Sequence, residues 1–435
     1  MRGFFYIWKI IKSLSKIYFS LLIFSPLVPR LGAADVIAAD YLALTIVAIF
    51  GVLILISKGQ VILSNDFLFK LPLILILFFL LVSLISISFS VNKITSFVSL
   101  IKIFVIVVHL YLLYALNIYQ IISLNFILSI CSIFLLFEVV YSLYPLYNEI
   151  LPVRKYEYRF SKFLIGISGN RNITAASIVL KMPLVLIYIY RLNKKYLKFL
   201  LVLLLTIALT NLFFLSSRAA LLSLSLSLIF FYSHTILQFI SDKSLKLFFK
   251  RTFLISVVIL ASYSYFNSNI VDNDRSSIQS RVSSISSTDE SATQRLRFYK
   301  QAIDYFISNP VNPVGLGNWK LYSIKLDKDR INSYIVPYVV HNDFLEILTE
   351  TSLIGFLLYS GFFAVFIYMI YGLYLKQKKF SDKTEIMLLG MSLICYLVDA
   401  NLNFPLYRPL MQVNLLLIIT IIMHFYYIIL YEKNL

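Results

Sequence analysis

Apolar runs of about 20 residues, the length of helix that a bilayer core requires, recur along the whole 435-residue chain with short polar segments between them. They fall at 16–33, 41–57, 67–90, 95–116, 120–145, 173–190, 197–215, 219–240, 252–266, 343–375, 386–405 and 410–431. This pattern predicts twelve transmembrane helices. Residues 103–137 carry no charged side chain, and the division is placed near Asn117 and Gln120 because one straight helix would overrun the membrane. The run at 343–375 exceeds one crossing and is expected to begin outside the bilayer. The first run is followed by many more and by no small-residue cleavage pattern, so it reads as a span and not a removable signal.

Two segments between spans are long, 146–172 and 267–342. The second opens with a Ser-rich stretch at 267–291 that reads as polar and mobile. From Gln294 the run QRLRFYKQAIDYFISNP reads as an amphipathic helix, with Leu296, Tyr299, Ala302, Ile303 and Phe306 at helical spacing. Asn309-Pro310 stops it, and PVGLGNW (313–319) follows as a turn-rich segment. The expected organisation is nine spans in 1–266, a large loop in 267–342 and three spans in 343–435. No internal repeat relates the halves.

Composition agrees with the pattern. The chain is 60% apolar and 14% charged, where soluble domains are about half apolar and a quarter charged. With a mean hydropathy of +0.85, this excludes a soluble globular protein and a disordered one. The expected fold class is an all-α polytopic membrane protein with one large outer loop carrying short helices. Cys131 and Cys395 both lie in apolar runs and provide no disulfide framework. No Cys/His cluster has metal-ligand spacing, so no metal site is expected.

The net charge of +18 changes meaning once it is placed on the chain. Lys and Arg crowd into alternate loops, as at Arg191, Lys194, Lys195 and Lys198, or Lys243, Lys246, Lys250 and Arg251. The short loops on the other side hold Arg30, Lys93, Arg218 and Arg408. By the positive-inside rule both termini are cytoplasmic and the long loop lies outside. The basic excess is thus a topology signal, and no nucleic-acid partner is needed to explain it.

Ionisable residues inside spans are costly and point to function by default. Lys102, Glu138, Lys181 and Asp399 are of this kind, all in the outer half of the membrane. Two readings stand. Either Lys102 and Lys181 snorkel to the headgroups while Glu138 pairs with one of them, or the group lines a polar cavity open to the outer leaflet. His109, His234 and His424 lie toward the inner side and read as packed or interfacial. His341 differs, standing where the long loop re-enters the membrane in HNDFLEILTETSLIG (341–355). There a neutral imidazole can accept a proton. Arg218, at the tight turn in LSSRAALLSL (215–224), carries a planar fork suited to phosphate oxygens. Arg295 begins the amphipathic helix, on which Arg297 and Lys300 read as a solvated face.

These pieces, in this order, resemble the O-antigen ligase family, which includes related O-antigen and capsule polymerases. The resemblance rests on GNRNITAA (169–176), SSRAALLSL (216–224), QRLRFYKQA with NPVNPVGLGNW (294–302 and 309–319), and HNDFLEILTETSLIG. It implies a bacterial inner-membrane enzyme that moves a glycan from an undecaprenyl diphosphate donor to an acceptor hydroxyl on the periplasmic face, with inversion and without metal or other cofactor. Arg218 and Arg295 would engage the diphosphate, and His341 would act on the acceptor hydroxyl with Asn342 beside it. Asn172 and Glu350 match further motif positions, as does Gly355, and Ser352 stands where the family often has glycine. Lys102, Lys181 and Asp399 join Asn172, Asn342 and Glu350 as candidate substrate-binding residues. The acceptor would be lipid A core for a ligase, another lipid-linked repeat for a polymerase, or a Ser or Thr hydroxyl for a protein glycosyltransferase. A polysaccharide flippase is the reading from a different class.

Overall fold

The structure is a computed structural model that describes residues 2–29, 32, 35, 37–59, 66–116, 118–242, 245–271, 290–328, 339–377 and 379–431. Arg30, Asn117, Lys243 and most of the Ser-rich stretch, 272–289, lie outside the described residues, so the expectations placed on them find no counterpart here. Among the described residues there is no strand; Tyr156 and Ile270 form one isolated bridge. The helices are α1 (Arg2–Phe24), α2 (Ala38–Lys58), α3 (Phe67–Ser86), α4 (Lys93–Ala115), α5 (Ile118–Ile121), α6 (Leu124–Pro145), α7 (Arg171–Arg191) and α8 (Lys195–Leu215). They continue with α9 (Arg218–Asp242), α10 (Leu245–Asn269), α11 (Glu290–Ser308), α12 (Trp319–Asp327), α13 (Asp343–Lys376), α14 (Phe380–Leu402) and α15 (Pro409–Tyr431). The protein is an all-α, multi-pass membrane protein.

Among the described residues, 11 helices are long and apolar enough to cross a membrane. The expected span at 252–266 is the one not among them. It lies within α10, 25 residues long, whose first turns carry Lys246, Lys250 and Arg251 and whose last turns are rich in Ser, Tyr and Asn. Polar residues at both ends dilute its apolar centre. Its length of about 37 Å still exceeds a bilayer core of about 30 Å, and it packs on α8 and α9.

The chain groups into two compact units. The first comprises Met1–Ile122, Ser286–Met369 and Ala400–Met423. In it α1 packs on α2, and α4 packs on both α2 and α3. The polar centre of this cluster is His109, which accepts a hydrogen bond from the Tyr18 hydroxyl at 2.9 Å and donates to the Leu44 carbonyl at 2.9 Å. Its role is packing, as its place in the span suggested.

The turn-rich 313–318 segment is fastened to the α3–α4 turn. Leu316 N–H donates to Ser86 Oγ at 3.1 Å, and the Asn318 side chain bonds Asn92 N at 2.8 Å and Ser96 Oγ at 2.6 Å. Gly315 and Gly317 have φ of +85° and +72°, and a Cβ on either would collide with Ser90 or Ser99. Glycine is required here both for its backbone angle and for the close approach. α11 forms where the amphipathic pattern predicted a helix, but with its buried face rotated. Phe298 and Ala302 are buried, and Tyr299 and Tyr305 pack on the Ala302–Val314–Trp319–Val340 core, while Leu296 and Ile303 are exposed. The core lies over α12 and the 313–318 segment, so it selects the stripe one residue round from the one that hydrophobicity alone favours.

α13 has 34 residues and is broken at Ser352, where φ is +64° and ψ is −173°. That region is almost reserved for glycine, the residue that the family resemblance implied for this position. Ser352 Oγ donates to the Pro310 carbonyl. The segment after the break, about 36 Å long, suffices to cross the membrane. Asp343–Thr351 is therefore a separate platform preceding the crossing, as the excess length of the run implied.

The second unit comprises Ser123–Ile285, Ile370–Asp399 and His424–Leu435. α7 is its central helix, packed against α6, α8 and α9. Between α6 and α7 lies an ion pair: Lys181 Nζ donates to Glu138 Oε2 at 2.7 Å and to Ser177 Oγ at 2.6 Å and O at 3.1 Å. Both side chains are essentially inaccessible, at 0% and 1% exposed.

Candidate active site

In the first unit, the site grows from the N-terminus of α13. Asn342 caps the helix, its Oδ1 accepting from Leu345 N–H at 3.1 Å. Three acidic residues on the platform then clamp surrounding chain. Asp343 accepts from Leu406 N–H at 2.9 Å, and Glu346 from Val340 N–H at 2.8 Å. Glu350 accepts from Trp319 N–H at 3.0 Å and from the Tyr407 hydroxyl at 2.8 Å. The Asp–Glu–Glu spacing thus draws in, by hydrogen bonds, the loop before α13, the start of α12 and the turn before α15.

His341 sits at the junction of these segments with φ of +62°, a conformation that a non-glycine residue holds only under constraint. The constraint is visible. The Tyr299 hydroxyl lies 3.0 Å from the His341 carbonyl and 2.7 Å from that of Asn401. The imidazole stacks on Phe298 at 6.4 Å and meets Phe404 edge-on at 5.4 Å. Among the described residues Nδ1 is buried without a hydrogen-bond partner. Burial, reinforced by the Arg295 guanidinium nearby, pushes the imidazole pKa down to about 4. The ring is therefore neutral at neutral pH, with a nitrogen available to take a proton.

Arg295 lies one turn before Tyr299 on α11, its Nη2 3.5 Å from Asn403 Oδ1. Asn342 Nδ2 reaches Asn401 Oδ1 at 3.3 Å. Arg295, His341 and Asn342 are thus gathered around the turn between α14 and α15. Arg297 is not a free surface cation, because its Nη2 pairs with Asp327 Oδ2 at 2.7 Å and so ties α11 to α12. Lys300 pairs with Asp304 on the exposed face.

Beside this cluster lies a cavity of about 730 Å³, lined in part by Lys102, Lys320, Glu346, Glu350, Phe404, Tyr407 and Arg408. Lys102 pairs there with Asp35 at 3.2 Å. Of the four ionisable span residues, Lys102 alone lines this cavity. Lys181 and Glu138 are not part of it, and Lys181 does not snorkel, since each of its three donors finds an acceptor within the buried pair.

The remaining candidates belong to the second unit. Arg218 opens α9 after a two-residue turn in which Ser216 takes φ of +51°. It stands at the N-terminus of a 25-residue helix, where free N–H groups and the macrodipole favour an anion. Asn172 is the second residue of α7; the capping residue is Asn170, whose Oδ1 accepts from Asn172 N–H at 2.9 Å. Asp399 is buried on α14. His234 bonds Thr384 and Tyr374 and is a packing residue.

Residues 203–360 match the family model described as O-Antigen ligase. That segment is similar to the family over somewhat more than a third of the chain. Among the curated proteins no match is found. The matched segment runs from α8 past the α13 break and contains Arg218, Arg295, His341, Asn342 and Glu350; Lys102, Asn172, Lys181 and Asp399 fall outside it. The match therefore joins this segment of a multi-pass protein, and no other part of the chain, to the O-antigen ligase family model. As candidate site residues, sequence reasoning passed over Tyr299, Asn403, Phe404, Tyr407 and Arg408. The signal was present in NFPLYRP (403–409), an aromatic and cationic turn too short to need such residues for a simple reversal.

Proposed function

We propose that the protein is an O-antigen ligase of the bacterial inner membrane, moving a glycan from undecaprenyl diphosphate to a hydroxyl of lipid A core on the periplasmic face. The observation that carries this reading is the neutral, buried imidazole of His341 with an unengaged nitrogen, held beside Arg295. His341 removes the acceptor hydroxyl proton as the oxygen attacks the anomeric carbon. The carbon–oxygen bond to the diphosphate breaks on the opposite face, so the configuration inverts. Base assistance of this kind contributes about 10²–10⁴-fold. The diphosphate leaves as an anion stabilised by the guanidinium of Arg295, a role that the family motif also gives Arg218, and no acid or metal is needed at the leaving oxygen.

The pH dependence follows in sign. A base must be neutral to act, so with a pKa lowered to about 4, His341 is competent throughout the neutral range and is lost as pH falls through that value. A bound diphosphate offsets the positive charge of Arg295 and raises the imidazole pKa, which strengthens the base when the donor is present.

The test is a deletion strain analysed by mass spectrometry of its surface glycolipids. Core alone is the result expected; single repeats on core would instead assign the polymerase activity, and unchanged glycolipids would remove the proposal. Complementation with His341→Ala or Arg218→Ala should fail with protein still in the membrane. Arg218→Lys should be severely impaired, since an ammonium does not reproduce the two-pronged contact.

A further inference from the structure

We propose that the cavity beside His341 is the acceptor subsite and recognises an anionic substituent, a carboxylate or phosphate on the acceptor saccharide, through Arg408 and Lys320. The inference rests on the transferase reading above.

The charges in the cavity are unequal in how they are occupied. Of the acids, Glu350 has both oxygens engaged, by Trp319 N–H and the Tyr407 hydroxyl, and Glu346 accepts from Val340 N–H. Asp35 is engaged by Lys102 and by Ile37 N–H. Of the cations, Lys102 is paired with Asp35, but the side chains of Arg408 and Lys320 form no hydrogen bond or ion pair with any described residue. Arg408 lies over the Phe404 ring, its Cζ 4.7 Å from the centroid. Partial burial lowers its pKa, opposed by the Tyr41 hydroxyl and by the Asp35 carboxylate that Lys102 already pairs.

Shape and position agree with the charge. At about 730 Å³ the space falls within the roughly 300–1,000 Å³ typical of small-molecule sites, and Phe404 and Tyr407 give it the aromatic surface on which a sugar ring can lie. The His341 ring is bounded by Phe298, from the helix that carries Arg295, and by Phe404, which lines the cavity. Neither Arg218 nor Arg295 lines it. A base flanked by the donor-binding helix and by a separate cation-bearing cavity has the arrangement that transfer between two bound sugars requires. An Arg and a Lys left without acceptors select an acidic acceptor over a neutral one.

The chain has 2 tryptophans, Trp8 and Trp319, and Trp319 adjoins the cavity-lining Lys320. Trp8→Phe in the full-length protein, purified in detergent, makes Trp319 fluorescence a reporter of cavity occupancy that needs no turnover. Titration with glucuronate, inorganic phosphate and glucose should give saturable changes for one or both anions and none for glucose. Tighter binding of glucuronate assigns an acidic sugar, and tighter binding of phosphate a phosphorylated one. Arg408→Ala and, separately, Lys320→Ala should each weaken anion binding at least tenfold, while Arg295→Ala and His341→Ala leave it within about twofold. Equal responses to glucuronate and glucose, or an anion affinity that follows Arg295 instead of Lys320 and Arg408, would overturn the proposal. Because binding is read without transfer, that result leaves the assignment of His341 standing, and loss of the transferase reading would show separately in the deletion strain.

Discussion

At the residue scale, a buried ion can be recruited either for substrate or for packing, and hydrogen-bond saturation separates the two. Lys181 has three donors and three acceptors, all supplied by Glu138 and Ser177, so nothing remains for a ligand. Lys181→Met should strand a buried carboxylate and destabilise the protein by about 3–5 kcal/mol, and adding Glu138→Leu should recover most of that loss. Thermal unfolding of the purified variants checks this. Stable Lys181→Met protein that has lost transfer would restore Lys181 as a substrate contact. Arg408 and His341 show the opposite condition, polar atoms held in place with capacity unused. Sequence alone marked His341 through its position at the membrane edge. It ranked Lys181, inside a span, above Arg408, in a short loop, because saturation depends on partners far away in the chain.

At the scale of elements, hydrophobic periodicity located the helices well and misplaced details that tertiary packing decides. The amphipathic run from Gln294 became α11, but the buried stripe moved to Phe298, Ala302 and Tyr305 because Trp319 and Val340 lie on that side. The length of α13 was legible, whereas its break at Ser352 was not, since a serine gives no hint of a glycine-like backbone. α10 is the element on which topology turns. If it crosses, there are twelve crossings and both termini share a side. With Cys131 and Cys395 replaced by alanine, cysteines at Ser241 and Ser268 should react with a membrane-impermeant thiol reagent from opposite faces of intact cells and inverted vesicles. Labelling of both from one face would make the count odd and place the termini on opposite sides.

At the scale of the whole molecule, the match over 203–360 takes in Arg218, Arg295 and His341 together. The all-α membrane architecture was readable because a bilayer leaves few alternatives for an apolar chain. The cluster of Arg295, Asn342 and His341 was readable only through family motifs, and of the cavity beside it only Lys102 and Glu350 were marked, for its walls come from five segments spread between Asp35 and Arg408. The central claim is that His341 acts as the base, and transfer kinetics of the purified protein test it most directly. His341→Ala should lower kcat about 10²–10⁴-fold with donor affinity retained. The wild type should lose kcat/KM in acid as pH falls toward about 4, with the acid limb of kcat displaced to higher pH by the bound diphosphate. A His341→Ala enzyme that turns over within a few-fold of wild type, or that keeps the same acid limb, would contradict the account.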